Sequence, residues 1–414
     1  MNLIGRCLNT ALTVLLPLVG IAWVLRIGEQ FGLALVTQQT IAIMLGLASG
    51  AAFLRVPYFR TISLLDIVLA VAASGCWFWY AWNFDSWMLL LAFRTPDMWI
   101  PGLVALVLML EALRKVVGLT IAILVWVIVA YGFFGNVIPG FFQAEVFKPT
   151  KTILYLYADS SGIPGLVVNV IINVVLPFVI FGKVMEIAGG MTFFNNFALA
   201  LMGKRRGGPA KVAVVASASF GTLSGSTVAN IMSTGILTIP LMKRSGFRAE
   251  QAAAIEAVAS NGGQIMPPVM GATAFIIAEF LQIPYSHVVI AGLVPALLYY
   301  VVLFFKIDAI ALKENIAGLP ASEIPSLAKT LRQGWFFVIP LGYLIYLLLW
   351  RGYDPGLAAL QSTGILIVCY LIQHRFRPEW DKLWALIRGS GEEIVPLILI
   401  GGGAGAVIGI MNST

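Results

Sequence analysis

The stretch that most restricts what this chain can fold into is residues 212–242, an apolar segment with basic clusters at both ends. Lys204, Arg205, Arg206 and Lys211 precede it, and Lys243, Arg244 and Arg248 follow. Its centre, ASASFGTLSGSTVAN at 216–230, is nearly all small and polar. Crossing a bilayer and returning takes roughly forty apolar residues, more than the segment has. Lys and Arg collect in cytoplasmic loops, so both flanks are expected on one side. A re-entrant hairpin with its tip at mid-membrane satisfies both constraints. Backbone at that depth is tolerated only where protein buries it or it lines a watery cavity, which is transporter anatomy.

Composition agrees with a membrane setting. Of 414 residues, 60% are hydrophobic and 11% charged, with a mean hydropathy of +0.93. That is the polytopic all-α membrane class and not a soluble domain. The net charge of +7 is assigned to cytoplasmic loops; no nucleic-acid partner is expected. Cys7, Cys76 and Cys369 are scattered, without disulfide framework or transition-metal spacing. The first apolar run, 11–24, lacks a small-x-small cleavage site and is read as a retained helix.

Apolar runs place spans near 10–27, 38–54, 62–82, 98–113, 116–134, 164–186, 249–282, 287–305, 333–350, 357–373 and 392–414. That is about 11 crossings besides the hairpin. The stretch 191–203 is too short to cross and suits an in-plane amphipathic helix. With the N-terminus cytoplasmic and 212–242 returning to its own side, most of the 26 Lys and Arg residues fall inside. Arg26, Arg94, Lys148, Lys151 and Arg351 fall outside, and Lys183 lies within a span. Reading 212–242 as a single crossing flips every later loop and puts the majority outside, against the positive-inside rule.

The segment 249–282 is itself interrupted. Residues 249–260, AEQAAAIEAVAS, favour helix, whereas Asn261-Gly-Gly-Gln-Ile-Met-Pro-Pro268 removes helix propensity and two backbone donors. A second helical half at 269–281 completes the crossing. A hairpin followed by a broken helix sets two irregular polar stretches at similar depth, a pairing that suggests a small-solute and ion site between them.

These residues resemble the membrane component of tripartite ATP-independent periplasmic (TRAP) transporters, in the fused form that works with TAXI-class binding proteins. GGPAKVAVVASASFGTLSGSTVAN, IPLMKRSGF and EAVASNGGQIMPPVMGATAF, within about 203–300, look like the family's first hairpin and following broken helix. The resemblance implies an inverted-repeat, ion-coupled transporter fold. On it, 1–113 is a small-subunit-like bundle and 114–306 the first repeat, with in-plane helix 191–203, hairpin 212–242 and broken helix 249–282. Residues 307–390 are a cytoplasmic loop and connecting helices, and 391–414 is the start of a second repeat that is not continued. The chain is accordingly expected to be a fragment or a shortened gene product, unable to bind or transport substrate alone. The resemblance further implies a bacterial inner-membrane location, a periplasmic TAXI-type partner, an organic-acid substrate and no cofactor, with Na⁺ or H⁺ as coupling ion.

The candidate cation and substrate site has two halves. Around the hairpin tip, Ser219, Thr222, Ser224, Ser226, Thr227 and Asn230, with Ser217 below them, supply hydroxyls and an amide, while Gly221 and Gly225 let the backbone turn. Hard cations take such oxygen ligands. Close packing of small residues between helices explains the same composition. At the break, Asn261, Gly262, Gly263 and Gln264 offer carbonyls, amides and free donors; a proline kink without ligand is the plainer alternative. Glu256 is an intramembrane carboxylate, costly unless paired, protonated or wet. It is read either as a coupling group or as the partner of Arg248, two turns earlier. Arg248 and Lys243 could steer an anion, although topology alone accounts for them. Glu279, His287 and His374 are expected at span ends, and the tryptophans in an interfacial belt.

No G-x-x-x-x-G-K-[ST] motif occurs, so energy must come from an ion gradient or another chain. An intramembrane hydrolase using Ser224 would need a base within reach, and neither histidine is placed to serve. A noncatalytic scaffold lacking half of the transport site is the remaining alternative.

Overall fold

The computed structural model describes every residue except 1, 2, 34, 141, 142, 146, 147, 374–378 and 414, and leaves out the side chains of Leu3, Leu91 and Ser224. The anticipated span-end position of His374 therefore lies outside the described residues. The helices are α1 (Leu3–Val24), α2 (Ile27–Gln30), α3 (Thr37–Arg55), α4 (Leu64–Leu90), α5 (Pro96–Val117), α6 (Leu119–Phe134), α7 (Pro149–Ala158), α8 (Leu166–Val170) and α9 (Leu176–Ile187). There follow α10 (Gly190–Met202), α11 (Gly208–Ser224), α12 (Thr227–Arg244), α13 (Ala249–Asn261), α14 (Ala272–Phe280), α15 (Tyr285–Lys313), α16 (Leu327–Leu349), α17 (Pro355–Gln373) and α18 (Trp380–Ser413). A π-helical turn, Ile171–Val175, joins α8 to α9.

Among the described residues, nine helical segments are long and apolar enough to cross a membrane: α1, α3, α4, α6, α8–α9, α15, α16, α17 and α18. The two further crossings expected from sequence correspond to α5 and to the broken α13–α14 segment. The protein is a polytopic all-α membrane protein. The stretch 191–203 is helical, as α10, and 212–242 is the helical hairpin α11–α12. Its limbs of 17 and 18 residues are each about 26 Å long at 1.5 Å per residue, short of the roughly 30 Å hydrocarbon core.

Two compact units emerge, Met1–Leu176 with Leu383–Thr414, and Pro177–Lys382. In the first, α3 is the buried centre: nearly every residue from Gln39 to Leu54 is covered. Gly46 and Gly50 let α4 approach, because a Cβ on Gly46 would sit 2.9 Å from the Phe78 ring. The Ser74 hydroxyl donates to the Gly46 carbonyl at 2.9 Å. Small-xxx-small spacing serves membrane helices this way. Trp77, Tyr80, Trp87 and Tyr157 then meet in one aromatic cluster of tilted and edge-on rings. Asp66 is fully buried, yet it accepts from the Tyr58 and Ser63 amides and from Lys115 Nζ at 3.3 Å. A buried charge needs such partners.

The second unit holds the hairpin and the broken helix. Its core joins Ala210, Ala213 and Val214 of α11, Met242 of α12, Ala252, Ile255 and Ala259 of α13, and Tyr300, Ile307 and Ala311 of α15. The alanines keep these helices close, and α15 packs against α11, α13 and the break. At its far end Asp308 pairs with Arg206 at 2.9 Å and with Lys211, tying the hairpin base to α15. Gly334 of α16 lies directly over the Phe193 ring of α10.

Candidate hairpin and broken-helix site

The hairpin turns in two residues. Gly225 ends α11 in the left-handed region, at φ +56°, where an L side chain is strained. Ser226 follows in extended conformation and caps α12, its Oγ accepting from the Ala229 amide at 3.3 Å. Thr222 donates to the Ser219 carbonyl at 2.7 Å. These hydroxyls therefore build the turn itself.

The broken helix docks on that turn through backbone. A Cβ on Gly221 would fall on the Gly263 Cα, and one on Gly263 would lie 2.9 Å from the Gly221 Cα. The two chains thus meet glycine to glycine. The Val269 amide donates to the Thr222 carbonyl at 3.2 Å, and a Cβ on Gly225 would lie 2.6 Å from the Met270 carbonyl oxygen. Asn230 bridges all three helices: its Nδ2 donates to the Ser217 carbonyl at 2.9 Å and to the Ser260 carbonyl at 3.4 Å. Its Oδ1 is buried without a hydrogen-bond partner, and buried polar atoms rarely stay so. Thr227 donates to Asn261 Oδ1 at 3.3 Å, and Asn261 and Gln264 are exposed.

Breaking a helix frees carbonyls that must be satisfied inside a membrane. Three tyrosines donate to carbonyls around the break, that of Val258 also accepting from the Gly262 amide. Tyr299 reaches the Val258 carbonyl at 2.7 Å, Tyr300 that of Ala259 at 3.1 Å, and Tyr285 that of Pro268 at 2.8 Å. Gly262 is constrained by the same residues, since a Cβ there would lie 2.6 Å from the Tyr299 ring. Its φ of −59° is ordinary helix, so space and not torsion demands the glycine.

Glu256 is fully buried, with Ser217, Thr234, Thr238 and Ser260 around its carboxyl. Arg248 is not its partner. That side chain sits at the exposed start of α13 and approaches Glu314 at 3.9 Å, because eight helical residues separate it from the buried carboxyl. Thr234, Thr238 and Ser260 are the functional candidates that the sequence reading missed. The available signal was spacing: Asn230, Thr234 and Thr238 follow at i, i+4 and i+8 on one face of α12, and Ser260 lies four residues after Glu256. A further enabling residue is Gly235, where a Cβ would come within 3.2 Å of Glu256 Cγ.

The anticipated site residues thus divide by role. Gly221, Gly225, Gly262 and Gly263 permit close packing, while Ser219, Thr222 and Ser226 form the turn. Thr227 and Asn261 meet at its exposed edge. Asn230 and Glu256 are the buried polar pair, on facing helices. The Ser224 side chain lies outside the described residues. Glu279 and His287 are exposed near the ends of α14 and α15, as expected. Among the described residues no cluster of three or more His, Cys, Asp or Glu could hold a metal ion.

Comparison with known proteins identifies the family. Residues 104–414 match the family described as the tripartite ATP-independent periplasmic transporter, DctM component. The C4-dicarboxylate TRAP transporter large permease protein DctM of Pseudomonas aeruginosa is 32% identical over 169 residues, 40% of this chain and 39% of that one. The sialic acid TRAP transporter permease protein SiaT of Haemophilus influenzae is 27% identical over 199 residues, 48% of this chain and 31% of that one. An uncharacterized protein, y4mL of Sinorhizobium fredii, is 25% identical over 236 residues, 55% of each chain. The chain spans roughly half or less of the length of these relatives. A family of transporter components sets the intramembrane hydrolase aside. The match covers most of the chain, including the hairpin and the break, and the protein belongs to the DctM family of TRAP transporter components.

Proposed function

We propose that this chain is the membrane permease part of an ion-gradient-driven uptake system for an organic acid. In this reading it lies in a bacterial inner membrane with its N-terminus in the cytoplasm. It receives substrate from a periplasmic binding protein of the TAXI type, and an inward Na⁺ or H⁺ gradient supplies the energy. The observation that carries the reading is the docking of the hairpin tip on the broken helix, glycine to glycine at Gly221 and Gly263, with a polar seam running from Asn230 to Glu256. Irregular backbone and half-helix ends at one depth are where secondary transporters hold solutes and ions. The names of two relatives, a C4-dicarboxylate and a sialic acid permease protein, support an acidic substrate. The turn carries no Lys or Arg. A carboxylate there depends on a bound cation, helix N-termini or residues beyond this repeat.

The permease in proteoliposomes, with its binding protein outside, should accumulate the organic acid only when an inward ion gradient and the binding protein are both present. Accumulation that needs neither overturns the proposal.

Topology is tested separately. In a background lacking Cys7, Cys76 and Cys369, single cysteines at the exposed Arg205 and Glu250 positions should both react with an impermeant reagent in inverted vesicles alone. Labelling from opposite faces excludes the re-entrant hairpin.

A further inference from the structure

The carboxyl of Glu256 is enclosed by hydroxyls from three helices and makes no ion pair among the described residues. We propose that Glu256 is the proton-carrying group of this permease, holding its proton on Oε2 against Thr238 and giving it up to water that enters during transport, while the same cage serves both states without rearrangement of the backbone. The inference rests on the transport reading above and assigns the coupling ion to this residue.

The two carboxyl oxygens are not equivalent. Oε1 faces three hydroxyls: Thr234, Ser260 at 3.2 Å and Ser217 at 3.5 Å. Oε2 faces one, Thr238. Each threonine also has a backbone carbonyl one turn back, Asn230 O at 2.9 Å from Thr234 Oγ1 and Thr234 O at 3.0 Å from Thr238 Oγ1. A hydroxyl has one proton and two lone pairs, so each can face either way. With Glu256 ionised, Thr234 and Thr238 turn their protons to the carboxylate. With Glu256 protonated, Oε2–H donates to Thr238 Oγ1, and the Thr238 proton swings to the Thr234 carbonyl. Both carboxyl oxygens and both threonine hydroxyls keep a partner in both states, and only hydroxyl torsions change. A buried carboxyl satisfied in one state alone would be locked there.

Among the described residues, no charged side chain reaches this carboxyl. On α11, Lys211 is held by Asp308 of α15. On α12, Lys243 and Arg244 are exposed at the far end, and on α13 Glu250 and Arg248 are exposed at the start. Lys306 and Asp308 lie toward the C-terminal end of α15, beyond Tyr299 and Tyr300, whose hydroxyls serve the Val258 and Ala259 carbonyls. Moving a proton onto Glu256 therefore changes the charge of this cage by a full unit. A proton needs no volume, whereas a Na⁺ ion needs room among oxygens that already touch one another here.

Infrared difference spectroscopy of the permease tests protonation independently of transport. Between alkaline and acid buffer the wild type should gain the C=O stretch of a protonated carboxyl, shifted in D₂O and missing in Glu256→Gln. Thr238→Val, which removes the acceptor, should move that band to higher frequency, and Thr238→Ser should restore it. Proteoliposomes test coupling: for one proton per substrate, a pH difference of one unit is worth a factor of about ten in accumulation. Glu256→Gln should lose that factor, making uptake with and without the pH gradient equal. A wild type lacking the band at every pH overturns the assignment, as does a gradient factor unchanged in Glu256→Gln or loss of Na⁺ dependence instead. If no gradient drives uptake in the wild type while the band behaves as stated, the transport reading fails and the protonatable cage stands.

Discussion

Gly221→Val should unseat the broken helix from the hairpin and abolish uptake, with a fall in stability of about 3 kcal/mol, at the upper end for overpacking. The reason is that both contacting surfaces are backbone: a side chain can rotate away from a new methyl group, but the Gly263 Cα cannot. Gly225→Val should cost a similar amount by a different route. It combines a positive φ, worth about 1–2 kcal/mol for an L residue, with a Cβ placed 2.6 Å from the Met270 carbonyl oxygen. Gly364→Ala in α17 is the control. Nothing lies within 4 Å of its added Cβ, and a helix-interior alanine gains about 0.5–1 kcal/mol over glycine. Unfolding midpoints in detergent decide the matter. A Gly221→Val protein as stable as Gly364→Ala would show that the glycine contact does not hold the two elements together.

The hairpin and the break were legible in the sequence because their signals are local. Apolar length and flanking charge bound 212–242, and Gly-Gly followed by Pro-Pro marks 261–268. What holds them together was less legible. Tyr285, Tyr299 and Tyr300 satisfy the carbonyls of the broken region from a helix that follows it. Nothing in the spelling of α15 says which carbonyls its hydroxyls will meet. Glu256 shows the same limit. Composition identified it as a costly intramembrane carboxylate, and sequence proximity offered Arg248. The helical phase turns Arg248 to the exposed rim and Glu256 inward, where its donors come from residues up to 39 positions away. The hydroxyls at the tip suit ion ligation and close packing alike, and the structure adds that Thr222 and Ser226 also hydrogen-bond within the turn. A residue type suited to two tasks does not reveal from sequence which one it performs.

The double variant Thr234→Val, Thr238→Val should destabilise the permease in a pH-dependent way. Both hydroxyls contact the Glu256 carboxyl, one on each oxygen, and valine is nearly the same size. Each lost hydrogen bond costs about 1 kcal/mol to a neutral carboxyl and about 1.5–3 kcal/mol to a charged one. The double variant should therefore lose about 2 kcal/mol in acid and up to about 6 kcal/mol in alkali, where the carboxylate keeps only Ser217 and Ser260. The sign follows from hydrogen-bond strength: the variant penalises the ionised carboxylate more than the neutral carboxyl, so the loss of stability grows as pH rises. Adding Glu256→Met removes the carboxyl that those hydroxyls served. The triple variant should regain most of the loss and lose the pH slope, because an apolar replacement of a whole polar cluster can be nearly neutral. The stability cycle between the threonine pair and Glu256 reads the coupling directly. Additive effects, with no recovery in the triple variant, would show that the threonines stabilise α12 on their own and that Glu256 gains nothing from them.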